Sequence, residues 1–234
     1  MRGTLINASL ILVGSLVGMV VHRRLSANLA QSLVQGIGLF VLYLGAEMAA
    51  SLRQVQQPLW ALAALTAGTW IGGLLRLEER LQALGRKAEA RFGGMAAGSG
   101  RFARAFITAS LLFVVGPMAI VGSIQDGSTG DYRILLTKGV IDGTTAIAFA
   151  STLGPGVAAS SLAVLVYQGA ISLGAGLFTR LVTEAALQLL TGTGGLLIVG
   201  LGLNMVGVAK LPVANMLPSL FFALLLPAIV DVAL

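Results

Sequence analysis

Lys138 and Asp142 stand four residues apart inside a strongly apolar stretch. That spacing brings both to one face of a helix, but lysine before acid is the weaker order for a helical pair. Local helix stability therefore explains them poorly, and partners are expected on other helices. Glu47, Gln125, Asp126 and Asn204 are the polar candidates. In a bilayer an unpaired charge costs about 2.5–3.5 kcal/mol on insertion scales, so a charge kept there faces a partner, a cavity or a pathway. A buried acid beside a lysine can gain and lose a proton, which is the chemistry a proton- or sodium-coupled carrier needs. The plainer reading is a lone salt bridge that fixes helix packing.

Other groupings are weaker. Asp142-Gly143-Thr144-Thr145 sets hydroxyls and a glycine beside a carboxylate. With free carbonyls at a helix break, Thr144 would help bind sodium, a hard cation that prefers oxygen. The ordinary alternative is a threonine bonded to its own helix backbone. Gln125-Asp126-Gly127 and Gly130-Asp131 bracket an expected outer turn, either structural or a cation-attracting mouth. Thr191-Gly192-Thr193-Gly194-Gly195 reads as a glycine-rich helix start, better suited to close packing than to an anion. Gly14/Gly18, Gly68/Gly72 and Gly139/Gly143 are small-residue pairs that permit tight helix contact, within the chain or in a homo-oligomer. There is no cysteine and one histidine, His22, so thiol chemistry, disulfides and histidine clusters are excluded. No nucleophile–base pair, phosphate loop or cofactor motif is present, and enzyme chemistry is the poorest option. A metal ligand set is left open.

Membrane helices must position these residues. The chain is 56% hydrophobic and 10% charged, where soluble domains carry about 25% charged residues. The expected fold is all-α, a polytopic transmembrane bundle forming one integral membrane domain over 1–234. Runs of about 20 apolar residues give eight spans near 3–21, 30–51, 58–75, 103–123, 134–152, 157–178, 190–209 and 213–232. The first is read as a retained span, not a signal peptide. The fourth and fifth are expected to be broken or shortened, the fourth kinked at Gly116-Pro117, and Pro218 and Pro227 should disturb the last.

Charge sets the orientation. Loops after spans one, three, five and seven hold Arg23, Arg24, Arg76, Arg80, Arg86, Lys87, Arg91, Arg101, Arg104 and Lys210, against Arg2, Arg53, Arg133 and Arg180 opposite. The positive-inside rule puts the first set in the cytoplasm and both termini outside. Within the cytoplasmic stretch 76–104, Leu77, Leu81 and Leu84 continue a helical period from Leu74 beside charged residues, an amphipathic surface helix. Gly93–Gly100 is the return loop, and His22-Arg23-Arg24 an anchor at anionic lipid. Nucleic acid is not an expected partner.

A repeat is visible at an offset of 157. Gln31, Leu33, Gly38, Leu39, Leu44, Gly45 and Met48 match Gln188, Leu190, Gly195, Leu196, Leu201, Gly202 and Met205. Spans two and seven cross in opposite senses, so the repeat is inverted, a feature of secondary transporters with midplane sites. Glu47 falls on Asn204, an acid against a neutral amide. The alternative is a wet Glu47 near Arg53.

The opening Met1-Arg2-Gly3-Thr4 with Asn7, the block GPMAIVGSIQDG at 116–127, Gly130-Asp131, KGVIDG at 138–143, Phe149 to Gly154 and GLGLNM at 201–206 resemble the uncharacterised bacterial inner-membrane family that includes YqgA and YdfK. The resemblance covers nearly the whole chain. It implies the inner membrane and a transport label, and brings no substrate and no assigned site residues. The expected function is a secondary transporter of a small solute or ion, with a pathway of Glu47, Gln125, Asp126, Lys138, Asp142, Thr144 and Asn204. A passive channel is the alternative, and an assembly subunit the third reading.

Overall fold

A computed structural model of the protein describes residues 1–22, 27–55, 58–92 and 100–233. Arg23, Arg24 and most of the expected Gly93–Gly100 loop lie outside the described residues. The rest is helical, with no strand among the described residues: α1 (Arg2–His22), α2 (Ala27–Ala49), a 3-10 turn (Ala50–Gln54), α3 (Leu59–Leu74), α4 (Leu77–Phe92), α5 (Arg101–Val114), α6 (Pro117–Ser128), α7 (Arg133–Leu153), α8 (Gly156–Leu173), α9 (Ala175–Leu181), α10 (Glu184–Val206), a second 3-10 turn (Val213–Met216) and α11 (Pro218–Ala233).

The all-α polytopic bundle holds, but the span number changes. Among the described residues, five helices are long and apolar enough to cross a bilayer, or up to seven if each of two bent pairs counts as one span. The expected eighth span is the shorter apolar stretch Val213–Pro227. The fourth span is broken as expected: α5 and α6 meet at 65°. Gly116 supplies a φ of +147° at the break, and Pro117 opens α6, where its missing N–H has no helical partner to lose. The expected break in the fifth span is absent. α7 runs unbroken through Gly139 and Gly143, which serve as contact surfaces.

A second break falls where the third span was expected to give way to the amphipathic surface helix, though its cause was not legible. α3 and the start of α4 meet at 53°, around Arg76 at φ +50°. The Glu78 N–H donates to Asn215 Oδ1 at 2.8 Å, and the Ala214 N–H donates to Glu78 Oε2 at 3.1 Å. Each side chain thus caps the other's element, satisfying N–H groups that a helix start leaves open.

The chain divides into two units: 1–34, 80–114 and 118–175 form the first, and 35–79, 115–117 and 176–234 the second. In the first, α1 lies along α7 in parallel. Gly3 abuts Tyr132 and Leu135, Gly139 abuts Asn7, and Gly18 abuts Ile147 and Ala150. Gly156 of α8 abuts Phe102 and Ala105 of α5, so Arg101 and Arg104 sit at the opposite end of this unit from Arg133. That is the partition the loop charges gave.

In the second unit, α2 and α10 run antiparallel with a backbone-close seam. A Cβ on Gly38 would lie 2.9 Å from Met205 Cβ and 3.2 Å from the Val206 nitrogen, while Gly195 faces Met48 and Ala49. A Cβ on Gly45 would lie 2.6 Å from the Val199 nitrogen, and one on Gly202 would lie 2.9 Å from the Leu42 nitrogen. Applying the offset of 157 turns the first contact of each pair into the second. The glycines that match in the repeat are the glycines that touch, and the seam has the exchange symmetry of an inverted pair. Gly68 and Gly72 of α3 face Ser219 and Asn215, again antiparallel. The three small-residue pairs are therefore spent on contacts within the chain.

Candidate functional site: a buried polar layer between α1, α7 and α8

α1 and α8 face each other within the first unit with polar residues at the contact. Thr4 Oγ1 and Ser172 Oγ are 3.4 Å apart, and Asn7 Nδ2 donates to Gln168 Oε1 at 3.3 Å. Pairing 4 with 172 and 7 with 168 makes the helices antiparallel. Continuing in steps of about one turn sets Ile11 level with Val164 and Ser15 level with Ser160. All eight residues are buried. The Ser172 hydroxyl donates to the Ser123 carbonyl at 2.9 Å and the Ser160 hydroxyl to the Val157 carbonyl at 2.6 Å. Buried polar groups are normally hydrogen-bonded, yet three atoms of these stripes have no partner: Asn7 Oδ1, Gln168 Nε2 and Ser15 Oγ.

α7 adds the charges. Lys138 Nζ donates to Asp142 Oδ2 along the helix, with Lys138 7% and Asp142 6% exposed. The Asn7 side chain also lies beside the Asp142 carboxylate. This corrects the expectation that each charge would pair across to Glu47, Gln125, Asp126 or Asn204: the partners are each other, in spite of the weaker helical order. The reason lies in burial. In a bilayer a desolvated lysine has few alternatives, and a neighbour one turn away is a better partner than none. Gly139 lets the α7 backbone approach Asn7, so a Cβ there would lie 3.1 Å from Asn7 Cα. One layer thus holds Asn7, Gln168, Lys138 and Asp142.

The other expected site residues lie elsewhere. Asp126 is buried in α6, not in a turn, and its Oδ2 accepts from the Gly3 and Thr4 N–H groups at 3.1 and 3.3 Å. It also lies 3.1 Å from the Met1 α-amino group. A carboxylate at the open N–H groups of a helix start is favourable through both hydrogen bonds and the helix dipole. Gln125 is half-buried in α6, and the turn that follows is 129–132. There Arg133 holds the half-buried Asp131 through three side-chain hydrogen bonds, the shortest 2.6 Å, and these keep the Asp131 carboxyl down at about 2. Thr144 is exposed and donates to the Val140 carbonyl at 2.8 Å, as Thr145 does to Ile141. With α7 unbroken, the sodium-binding set imagined around Gly143 is not assembled.

Glu47 and Asn204 belong to the second unit. Glu47 is exposed on α2. Asn204 exchanges two hydrogen bonds with the Leu211 backbone, at 2.8 and 2.7 Å, and folds the chain after α10 back on itself. The Thr191–Gly195 stretch lies inside α10, which begins seven residues earlier at Glu184, so it is no helix start. Asn7 and Gln168 were missed as site residues. The signal was present in part, since Ser160, Val164, Gln168 and Ser172 recur at four-residue spacing on α8.

The DUF554 family model, described as a protein of unknown function, matches residues 2–228. The chain belongs to the DUF554 family. The uncharacterised membrane protein YdfK of Bacillus subtilis (strain 168) is 32% identical over 221 residues, 94% of this chain and 93% of that protein. The uncharacterised protein YqgA of Escherichia coli (strain K12) is 31% identical over 228 residues, 97% of this chain and 96% of that protein. No solved structure matches. The membrane description of YdfK agrees with the apolar helices here, and the DUF554 chain is a membrane protein. The family supplies no chemistry, so any assignment rests on the polar layer and the repeat.

Proposed function

We propose that this DUF554 protein is a secondary transporter of a small solute or ion across the bacterial inner membrane, with the layer of Asn7, Lys138, Asp142 and Gln168 as its polar site. The observation that carries this reading is the exchange symmetry of the α2–α10 seam. Inverted repeats give a carrier two related arrangements around a fixed site. A passive pore needs no such relation. The buried ion pair adds a charged group of the kind that senses a gradient. In this reading 76–104 faces the cytoplasm and the N-terminus lies outside. The C-terminus lies outside as well only if Val213–Pro227 also crosses.

The test is reconstitution. Proteoliposomes under an imposed ion gradient should accumulate a labelled solute from a panel of small metabolites and ions, and Asp142→Asn should abolish accumulation. Discrete unitary currents in a planar bilayer, with no accumulation against a gradient, would replace the carrier by a channel. Neither flux nor current across the panel would favour the assembly-subunit reading.

A further inference from the structure

We propose that the ion handled by the polar layer is the proton, taken up by Asp142 against Lys138, and that the Ile11–Val164 level is the gate on its path. The inference rests on the carrier reading and names the coupling ion within it. Size favours the proton. α1 and α7 are in backbone contact on both sides of the layer: a Cβ on Gly139 would lie 3.1 Å from Asn7 Cα, and one on Gly143 would lie 2.9 Å from the Leu10 carbonyl oxygen. A proton needs no room beyond a hydrogen bond. A hard cation needs several oxygen ligands, whereas here Lys138 occupies Asp142 Oδ2, Asn7 Nδ2 occupies Gln168 Oε1, and the Thr144 and Thr145 hydroxyls point to their own helix.

The polar path points the same way. From the α1 N-terminal end, polar groups follow one another through Ser123 and Ser172, Thr4, Asn7 and Gln168 to Asp142. Two atoms in the layer lack partners, an acceptor (Asn7 Oδ1) and a donor (Gln168 Nε2), both on fully buried side chains. Such a pair can hold a group that both gives and takes a hydrogen bond, as a proton-relaying water does. Beyond the layer the path stops. Ile11 and Val164, both buried, close it with hydrocarbon, and polar atoms resume one turn on at Ser15 and Ser160. Hydrophobic constrictions of this kind gate by excluding water.

The resting layer is Lys138–NH3+ beside Asp142–COO−, with no net charge. A proton arriving from the α1 N-terminal side converts Asp142 to COOH and frees the Lys138 ammonium. Departure of that proton past the opened gate restores the pair. Few other groups interfere. The facing residues of α1 and α8 at this level are uncharged, and α8's titratable residue is Tyr167, a neighbour of Gln168 along the helix. The α5 charges, Arg101 and Arg104, are exposed in its first turn. Asp126 of α6 is committed to the α1 N-terminus. Lys138 is the one charged group acting on Asp142 among the described residues.

The experiment uses the full chain in proteoliposomes holding a pH-sensitive dye, with a potassium diffusion potential set by valinomycin. The wild type should be nearly proton-tight. Ile11→Thr with Val164→Thr carries hydroxyls across the gate and should raise proton entry at least about tenfold, the effect of lowering a barrier by 1.36 kcal/mol. Adding Asp142→Asn together with Lys138→Met, which leaves no charge without a partner, should return the flux to the wild-type level. Val164→Thr alone, nearly isosteric, should give a smaller rise of the same kind and serves if the double variant does not fold. In the wild type, pH-difference infrared spectra should show a protonated carboxyl band that Asp142→Asn removes. A leak that survives Asp142→Asn with Lys138→Met, a leak that passes sodium equally, a folded gate variant with no leak, or the absence of the carboxyl band would each overturn the proposal. None of these readouts needs a solute. A proton leak through Asp142 without solute accumulation would therefore sink the carrier reading alone, and accumulation without the leak would sink the proton alone.

Discussion

Removing one member of the Lys138–Asp142 pair should be far more damaging than removing both. Both side chains are more than nine-tenths buried, and each is the other's charged partner. Asp142→Asn leaves an ammonium in the layer. Insertion scales put such a charge at about 2.5–3.5 kcal/mol, and breaking a buried pair in soluble proteins costs about 3–5 kcal/mol. Neutralisation sets the ceiling. An ordinary lysine sheds its proton at pH 7 for about 4.6 kcal/mol, and an ordinary aspartate takes one up for about 4.2 kcal/mol, at about 1.36 kcal/mol per pH unit. We therefore expect Asp142→Asn and Lys138→Met each to destabilise by about 3–4 kcal/mol. The double variant should lie within about 1 kcal/mol of the wild type, because no charge is left without a partner. The coupling would then exceed the roughly 0.5–3 kcal/mol usual for residues in contact. Reversible SDS unfolding in mixed micelles, followed by helical circular dichroism, measures all four corners of the cycle. Single losses below about 1 kcal/mol would mean that water reaches the pair, and the site argument would fail with it. A double loss equal to the sum of the singles would mean that the two charges do not interact.

Three further outcomes follow. The native chain has no cysteine, so paired introduced cysteines report the α2–α10 seam cleanly: Gly45→Cys with Val199→Cys and Leu42→Cys with Gly202→Cys should both cross-link, while Gly38→Cys with Gly195→Cys, the parallel register, should not. Gly73→Ala meets open space and should stabilise by up to about 1 kcal/mol, the helix-propensity difference, whereas Gly68→Ala sets a Cβ 2.7 Å from Ser219 Cβ and should lower the thermal midpoint. The Asp131 carboxyl, held down to about 2 by Arg133, should titrate near that value in a carboxyl-carbon NMR experiment, and Arg133→Gln should return it towards about 3.9. The sign follows from a depressed folded value: the favourable term is present above the unfolded pKa and is lost only as pH falls through about 2. A titration near the ordinary value in the wild type would remove that hydrogen-bonded arrangement.

Composition and length made the membrane bundle legible, and Gly116-Pro117 made its fourth-span break legible, because a bilayer leaves few ways to satisfy a backbone. The repeat was legible at its glycines, since a close helix approach restricts residue size at those positions. Three features were not. The α3–α4 break has no glycine or proline at its turn; it depends on Glu78 and Asn215 capping each other across 137 residues. The Lys138–Asp142 partnership defied the helical preference because that preference was measured in water, where both groups have an alternative. Asn7 and Gln168 carry no charge, and a lone amide in an apolar run stands out only once its facing helix is known.

The symmetry also accounts for where the polar layer sits. Shifted by 157, Ser15 falls on Ser172, Asn7 on Val164 and Ile11 on Gln168. The inverted relation therefore exchanges the Asn7–Gln168 level with the Ile11–Val164 level on the same helix pair. One of the two levels is polar, beside the Lys138–Asp142 pair, and the other is hydrocarbon. A site with two polar levels would offer a water path from end to end, and two dry levels would offer no place for a charge. In the carrier proposed above, one of each would leave a bound charge reachable from one side at a time, and exchanging the roles of the two repeats would reverse the side. If that is why the levels differ, making them alike should destroy directionality in either direction: Val164→Asn should leak, and Asn7→Val should block flux while the helix pair stays intact. Unchanged flux in both variants, with each still folded, would show that the asymmetry is only packing.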